Sequence, residues 1–191
     1  YFRAGVSYST IGADFCARQR RWQSVFDVSG SAVFPADTAH VVCLLNSERA
    51  RSTLQALNPT ANFQVGDINR LALFSIDQST EIVSTLERSF ASHERTQETS
   101  LMFQCPDTST WSSAKHWAER AVNRAPGERL EPFLSQDEAP TAQDYLSYAF
   151  GCSIGRFPIV DGLEDGEGQS AVFVGPTGVS DSLSEPGSAA L

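Results

Sequence analysis

The sequence is poor in residues that commonly bind metals or nucleotides. Its three histidines, His40, His93 and His116, stand alone without a second His or Cys at ligand spacing, so a metal site is not expected. It also lacks a G-x-G-x-x-G loop and a P-loop, so we expect no cofactor pocket within this chain. One lysine stands against thirteen arginines, a bias typical of GC-rich genomes that carries no functional information.

Long apolar runs are missing as well. No run approaches the roughly 18 residues needed to span a bilayer, so we expect no membrane partner. The first residues, Tyr1 to Val6, lack a basic region followed by an apolar stretch, so no signal peptide is expected. They also lack an initiator Met, and we expect a processed product or a segment of a larger protein.

The four cysteines, Cys16, Cys43, Cys105 and Cys152, are widely spaced and form no Cys-x-x-Cys pair. Two interpretations stay open: two disulfides in a secreted module, or four unrelated buried thiols in a cytosolic protein. The wide spacing and the missing signal favour thiols and a cytoplasmic location.

The charge is unevenly distributed. The chain carries a net charge of -9, which excludes a simple basic nucleic-acid binder. Residues 1–95 are neutral, with nine Arg and nine acids, whereas residues 96–191 hold five basic groups and fourteen acids. Residues 1–26 carry four Arg against Asp14 alone. The start of the chain is therefore compatible with a local basic face.

Hydrophobic patterning predicts strands first, helices next and a tail. This order indicates an α+β fold, with a small mixed β-sheet and packed helices followed by a helical segment and a flexible tail. The Ser29-Gly30-Ser31 turn predicts a hairpin between residues 25–28 and 32–34. The strands are expected near residues 1–9, 15–18, 24–28, 32–34, 63–65 and 71–76.

Capping residues predict where the helices begin. Asp37 is expected to cap a helix that continues to Leu57 and is stopped by Asn58-Pro59. Asp77 is expected to cap the next helix, whose apolar face includes Ile82 and Phe90. Further helices are predicted at residues 111–123 and 142–150. The expected domains are an α+β domain at 1–95, a helical continuation at 96–160 and a Gly/Ser/acidic tail at 161–191.

Two short motifs resemble catalytic signatures without their context. Residues 151–155, GCSIG, match the G-x-S-x-G pattern of a nucleophilic serine, but the preceding residues predict a helix and no histidine follows. We expect a glycine-flanked helix end there. Asn58-Pro59-Thr60 resembles part of the Asn-Pro-Pro-aromatic motif of amino-methyltransferases but lacks the second Pro and the ring, so it is not assigned that role.

A longer run is more specific. Residues 58–68, NPTANFQVGDI, resemble a signature of the large adenine-specific DNA methyltransferases of bacterial phage-defence systems, the PglX type of BREX and its DISARM relatives. The resemblance spans about residues 1 to 160, although residues 120–132 match poorly and Leu71-Ala72 stands where the family commonly has Leu-Pro. The flanking features agree in order: YFRAGVSYS at 1–9, GSAVFP at 30–35, LLNS at 44–47, ETS at 98–100 and LSYAFGCSIGR at 146–156.

The resemblance implies a role in reading DNA. In that family this stretch follows the catalytic domain and forms the target-recognition region with its helical continuation. The family transfers a methyl group from S-adenosylmethionine to the exocyclic amine of adenine in duplex DNA, which marks host DNA as self. The catalytic motif and the cofactor loop would belong to the upstream domain, so this segment alone would not be catalytic. The implied partners are double-stranded DNA, the upstream domain and other defence-system subunits.

Such a region reads bases with polar side chains on loops and strand ends, because bidentate Arg recognises guanine and Asn or Gln recognises adenine. We expect the main contribution from the segment 18–23, which holds three Arg and two Gln. Phosphate contacts are expected from four arginines, Arg3, Arg49, Arg51 and Arg70. Alternatively, Arg49 and Arg51 pair with Glu48 on the helix. The expected DNA-binding residues are Arg3, Tyr8, Ser9, Arg18, Arg20, Arg21, Asn58, Thr60, Asn62, Gln64 and Arg70.

The acidic total supports an alternative function. A protein that mimics DNA, or an interaction domain without catalysis, would also carry a net charge of -9. A mimic should spread carboxylates over its whole surface, whereas residues 1–95 are neutral, and this favours the DNA-reading hypothesis.

Overall fold

The computed structural model describes residues 2–12, 14–22, 25 and 30–158. These residues form an α+β fold with a three-stranded sheet and six helices, which confirms the predicted class. The chain forms two compact units, Tyr1–Pro140 and Thr141–Leu191. The predicted boundary after residue 95 thus falls inside the first unit.

The sheet is formed by β1 (Val6–Tyr8), β2 (Ala17–Gln19) and β3 (Ala32–Val33). β1 lies in the centre, and both neighbours pair with it in antiparallel fashion, so within the described residues the sheet is antiparallel rather than mixed. Because side chains alternate between the two faces of a strand, Val6 and Tyr8 point into the core, where both are buried. The other half of the predicted hairpin, residues 26–28, lies outside the described residues.

The first predicted helix is in fact two helices, α1 (Thr38–Asn46) and α2 (Glu48–Leu57). Asp37 caps α1 as predicted, accepting a hydrogen bond from the His40 N–H at 2.9 Å. The break lies at Ser47, whose backbone is extended. Its hydroxyl donates to the Leu44 carbonyl and accepts from the Ala50 N–H, so it ends one helix and caps the next.

Helix α1 lies at the centre of the first unit. It contacts β1, β2 and α2, and also the two long helices α4 (Ser79–Arg95) and α5 (Trp111–Asn123). Asn46 joins it to the sheet, because its amide accepts from the Ala17 N–H at 3.0 Å and donates to the Ala17 carbonyl at 2.8 Å. These two bonds occupy backbone groups of the edge strand β2.

The strands predicted at residues 63–65 and 71–76 are wrong. Val65–Ile68 is a short helix, α3, and residues 71–76 have no regular structure. The physical reason is Asp67, whose carboxylate accepts from the Gln64 N–H at 3.3 Å and stabilises the first turn. Phe63 is buried beside Phe15, with ring centroids 5.1 Å apart, without belonging to a strand.

The later helices follow the sequence pattern more closely. Helix α4 begins after Gln78, one residue later than a cap at Asp77 predicts, because Gln78 adopts the left-handed conformation. Its apolar face includes Ile82 and Val83 as expected, and α5 has the predicted bounds.

In the second unit, helix α6 (Ala142–Ser153) runs three residues further than predicted. Thr141 and Asp144 form a capping box at its start. At its end, Ser153 is the last helical residue and donates to the Phe150 carbonyl, which confirms a helix end at the G-x-S-x-G match. The predicted tail at 161–191 lies outside the described residues.

Candidate nucleic-acid interface

The outer face of the sheet carries Arg18 of β2, and Arg20 follows directly after the strand. Arg18 is exposed and lies opposite Ser7 of β1, on the face away from the core. Arg20 continues this pattern, because its N–H donates to the Gly5 carbonyl at 2.8 Å. Positions 18 and 20 therefore present their side chains on the same side of the hairpin.

Phe34, which follows β3, holds two arginine side chains on this face. The guanidinium carbon of Arg3 lies 5.5 Å from the ring centroid, and that of Arg20 lies 5.9 Å from it. Both distances are in the range of cation–π attraction. We call the surface formed by Arg3, Arg18, Arg20 and Phe34 the basic face.

Gly5 allows the ring of Phe34 to lie close to the backbone of the hairpin. A Cβ atom on Gly5 would lie 2.6 Å from the Val33 carbonyl oxygen and 2.8 Å from Cδ1 of Phe34. Both distances are shorter than real Cβ atoms show. Glycine is therefore required at this position by the packing of the basic face.

Arg21 has a different role from its neighbours. It forms an ion pair with Glu94 of α4, and its guanidinium lies 5.1 Å from the ring centroid of Phe90. Phe90 in turn packs on Trp111 of α5, at 4.9 Å between centroids. Arg21 thus ties the hairpin to the helices, and its charge is neutralised.

The predicted cluster at 18–23 is therefore divided. Arg18 and Arg20 belong to the basic face, and Arg21 does not. Gln19 lies on the opposite face of β2, because side chains alternate along the strand. Gln23 lies outside the described residues.

Two other predicted site residues serve the fold. Tyr8 is only 4% exposed and packs on Phe15, with centroids 5.8 Å apart, so its ring belongs to the core. The Ser9 hydroxyl accepts from the Cys16 N–H at 3.1 Å and closes the turn between β1 and β2. We leave both residues out of the basic face.

Asn58 is the centre of a local hydrogen-bond network. Its amide nitrogen donates to the Asn62 carbonyl at 2.9 Å and to the Asp67 carboxylate at 3.0 Å. Its amide oxygen accepts from the Thr60 N–H at 3.2 Å and from the Thr60 hydroxyl at 2.7 Å. These four bonds use both donors and both lone pairs of the amide, so Asn58 is not available to a base in this conformation.

The loop that follows Asn58 lies at the tip of the β1–β2 hairpin. The Phe63 N–H donates to the Thr10 carbonyl at 2.8 Å, and the Gly12 N–H donates to the Ala61 carbonyl at 3.0 Å. Asn62 and Gln64 are exposed there. The open end of the hairpin, at Gly5 and Arg20, is about 10 Å beyond the last strand pair at the tip, given ~3.4 Å per residue. The two predicted reading segments therefore lie at opposite ends of one hairpin.

The arginines predicted to contact phosphates are dispersed. Arg70 is exposed after α3, and Arg51 is half-buried on α2. Arg49 is exposed and lies over Phe74, 4.5 Å from the ring centroid. The alternative pairing of Arg49 or Arg51 with Glu48 is not observed among the described residues.

Sequence reasoning does not identify Gly5 or Phe34 as part of the site, and it predicts Phe34 only as a strand residue. The two-residue alternation of Arg18 and Arg20 is the available signal for an outward face. The contact of Phe34 with Gly5 links residues far apart in sequence and has no local signature.

The four cysteines are free thiols, as the wide spacing predicts. Cys43 is buried, and burial raises the pKa of its thiol to about 12. Cys16 is exposed and pairs with Ser9 at the closed end of the hairpin. The expectation that all four are buried is therefore wrong, because Cys16 lies at the surface and Cys105 and Cys152 are only partly covered.

His93 is the histidine with the most extensive contacts. Its Nδ1 lies 2.9 Å from the Ser109 hydroxyl, and its ring stacks on Trp111. Partial burial, with a smaller effect of Lys115, lowers its pKa. No cluster of three potential metal-binding side chains occurs in the described part of the chain.

Within the described ranges, no helix has the length and apolar character required to cross a membrane. Comparison of the sequence with protein-family models and with curated proteins gives no match. What this chain does is therefore inferred from the resemblance in its sequence and from the chemistry of its basic face.

Proposed function

We propose that this chain is the DNA target-recognition part of an S-adenosylmethionine-dependent, adenine-specific DNA methyltransferase of a bacterial phage-defence system of the BREX or DISARM kind. It reads duplex DNA so that an upstream catalytic domain methylates the exocyclic amine of adenine. The observation that supports this proposal is the basic face, where Arg3 and Arg18 are exposed and Arg20 lies on the same side of the hairpin with its guanidinium partly buried.

The geometry of the hairpin suits DNA. The major groove admits a two-stranded β-ribbon, and Arg can make two hydrogen bonds to the edge of guanine there. Arg18 lies at the middle of β2 and is the best placed to reach a base. Arg3 and Arg20 stack on Phe34, which reduces the side-chain entropy that binding must remove. We assign Arg3 and Arg20 to phosphates or to bases next to the one that Arg18 contacts.

The charge distribution agrees with this orientation. The net charge of -9 resides in residues 96–191, while residues 1–95 are neutral. Since DNA is repelled by carboxylates, the acidic helical continuation is not expected to contact the phosphates.

The methyl-transfer chemistry belongs to the upstream domain in this proposal. That domain would bind S-adenosylmethionine, which supplies the methyl group, and this chain would only orient the DNA. Other defence-system subunits are further proposed partners, and we place the protein in the cytoplasm.

A binding measurement with the full chain tests the proposal. The wild type should bind a fluorescent duplex with an affinity that falls steeply between about 50 and 200 mM salt, because phosphate contacts release counterions. Arg18→Ala combined with Arg20→Ala should weaken binding. In a plot of log affinity against log salt concentration, the slope should also become shallower by about one for each phosphate that the variant no longer neutralises.

The matched control is Arg129→Ala, which removes the same kind of charge from an exposed position outside the sheet. It should bind nearly as the wild type does. Absence of binding by the wild type, or equal loss in the double variant and the control with both folded by circular dichroism, would refute the assignment to DNA.

A further inference from the structure

Two large aromatic side chains near the basic face are exposed. Phe2 is 63% exposed and Trp22 is 72% exposed. An exposed apolar patch rimmed by charged groups commonly marks a binding surface. In the sequence, Phe2 directly precedes Arg3, and Trp22 follows Arg20 by two positions.

The fold brings the two segments to the same place. The guanidinium groups of Arg3 and Arg20 lie over the ring of Phe34, and the Arg20 N–H donates to the Gly5 carbonyl. Arg3 and Arg20 are therefore neighbours at the open end of the hairpin, and Phe2 and Trp22 lie close to them along the chain. This end combines exposed rings with the exposed Arg3 and the partly buried guanidinium of Arg20.

We infer that the open end of the hairpin stacks an unpaired base of DNA on Trp22, an inference that rests on the proposed function and extends it to a preferred form of DNA. Every base has a π-face that stacks on an aromatic ring, and the exposed Arg3 at the same end of the hairpin would attract the phosphates of the same strand. In a fully paired duplex these faces are covered by the neighbouring base pairs. The chain should therefore prefer DNA that offers an unpaired base.

The charge of the patch decides between DNA and a protein partner. An apolar protein surface would gain from Trp22 and Phe2 but would have to desolvate the exposed Arg3. A nucleic acid satisfies the rings and the guanidinium of Arg3 together. If the chain shows no preference among the forms of DNA, we interpret the exposed rings as a binding surface for a protein partner.

The test compares three fluorescent DNAs of one sequence: a fully paired duplex, the same duplex with one bulged adenine, and the single strand. The wild-type full chain should bind at least one of the two unpaired forms about tenfold more tightly than the paired duplex, the scale of one base stacking on one ring. A gain on either form supports the inference. A gain on the bulged duplex indicates that the chain prefers an extrahelical base. A gain on the single strand indicates that it prefers a strand end or a loop.

Variants of Trp22 assign the effect to the ring. Trp22→Ala should remove the preference while leaving affinity for the paired duplex unchanged, and Trp22→Phe should retain part of it. The control is Leu134→Ala, an apolar residue of the same unit that is 79% exposed. It should leave the preference intact.

The failures are distinguishable. Equal affinity of the wild type for all three DNAs overturns the stacking inference, and so does a loss in Trp22→Ala that is equal on all three. If the Arg18/Arg20 double variant still weakens duplex binding, the proposed function survives that result. Absence of binding to any DNA overturns both.

Discussion

The backbone of Gly5 and the ring of Phe34 lie so close together that a methyl group on Gly5 would be 2.8 Å from Cδ1 of the ring. Gly5→Ala must therefore displace Phe34 or the strand beside it. We expect a loss of about 1–3 kcal/mol in the free energy of unfolding, measured by urea denaturation, together with weaker DNA binding. Gly66→Ala is the control, because a Cβ there meets nothing within 4 Å; equal effects of the two substitutions would contradict the steric argument.

Arg21 and Glu94 are expected to contribute to stability and little to DNA binding. The ion pair is partly exposed, so screening by water limits its contribution to roughly 0.2–1 kcal/mol. Arg21→Ala should lower the urea midpoint slightly while reducing DNA affinity far less than Arg18→Ala does. If Arg21→Ala lost as much affinity as Arg18→Ala, Arg21 would belong to the DNA interface.

Asn58 should be a structural residue. Asn58→Ala removes four hydrogen bonds and leaves the carboxylate of the buried Asp67 without one of its donors. We expect a loss of about 1–3 kcal/mol in the free energy of unfolding, read from urea denaturation. Asn62→Ala, at an exposed side chain of the same loop, is the comparison. A larger loss at Asn62 than at Asn58 would be inconsistent with the network.

The thiols should differ strongly in reactivity. Cys16 is exposed, whereas Cys43 is buried with its pKa raised from 9.0 to about 12 and stays protonated at neutral pH. Since the thiolate is the nucleophile, a maleimide at neutral pH should label Cys16 first and Cys43 last, as followed by peptide mass spectrometry. Duplex DNA should slow labelling of Cys16, at the tip of the same hairpin, more than labelling of Cys152. Four free thiols should be counted under denaturing, non-reducing conditions, and a lower count would favour disulfides.

The sequence predicts best those elements whose signals are local. Helix α5 has the predicted bounds because its apolar residues recur at helical spacing, and Ala114 and Trp117 are buried as that spacing requires. The break between α1 and α2 is not predicted, because the apolar spacing continues across Ser47. Serine is only a weak helix breaker by propensity, and here the two hydrogen bonds of its hydroxyl decide.

Elements that depend on distant partners are less predictable. Residues 71–76 have the composition of a strand, but within the described chain no neighbouring strand pairs with them, and a strand without a partner is not stable. In the candidate site, the shared face of Arg18 and Arg20 is predictable from alternation along one strand. The ion pair of Arg21 with Glu94 is not predictable from the sequence, because the two residues are 73 positions apart.

The hairpin is fixed at both ends, by the backbone bonds to the loop after Asn58 at its tip and by Arg21 at its base. A slip of one residue would exchange the inward and outward sets of side chains and expose the core, so the buried positions and these bonds together set the register. The outward positions 7, 18 and 20 can consequently change identity without moving the strand. Such a frame would allow a lineage to acquire a new DNA sequence preference by a few surface substitutions while the folded scaffold is inherited unchanged.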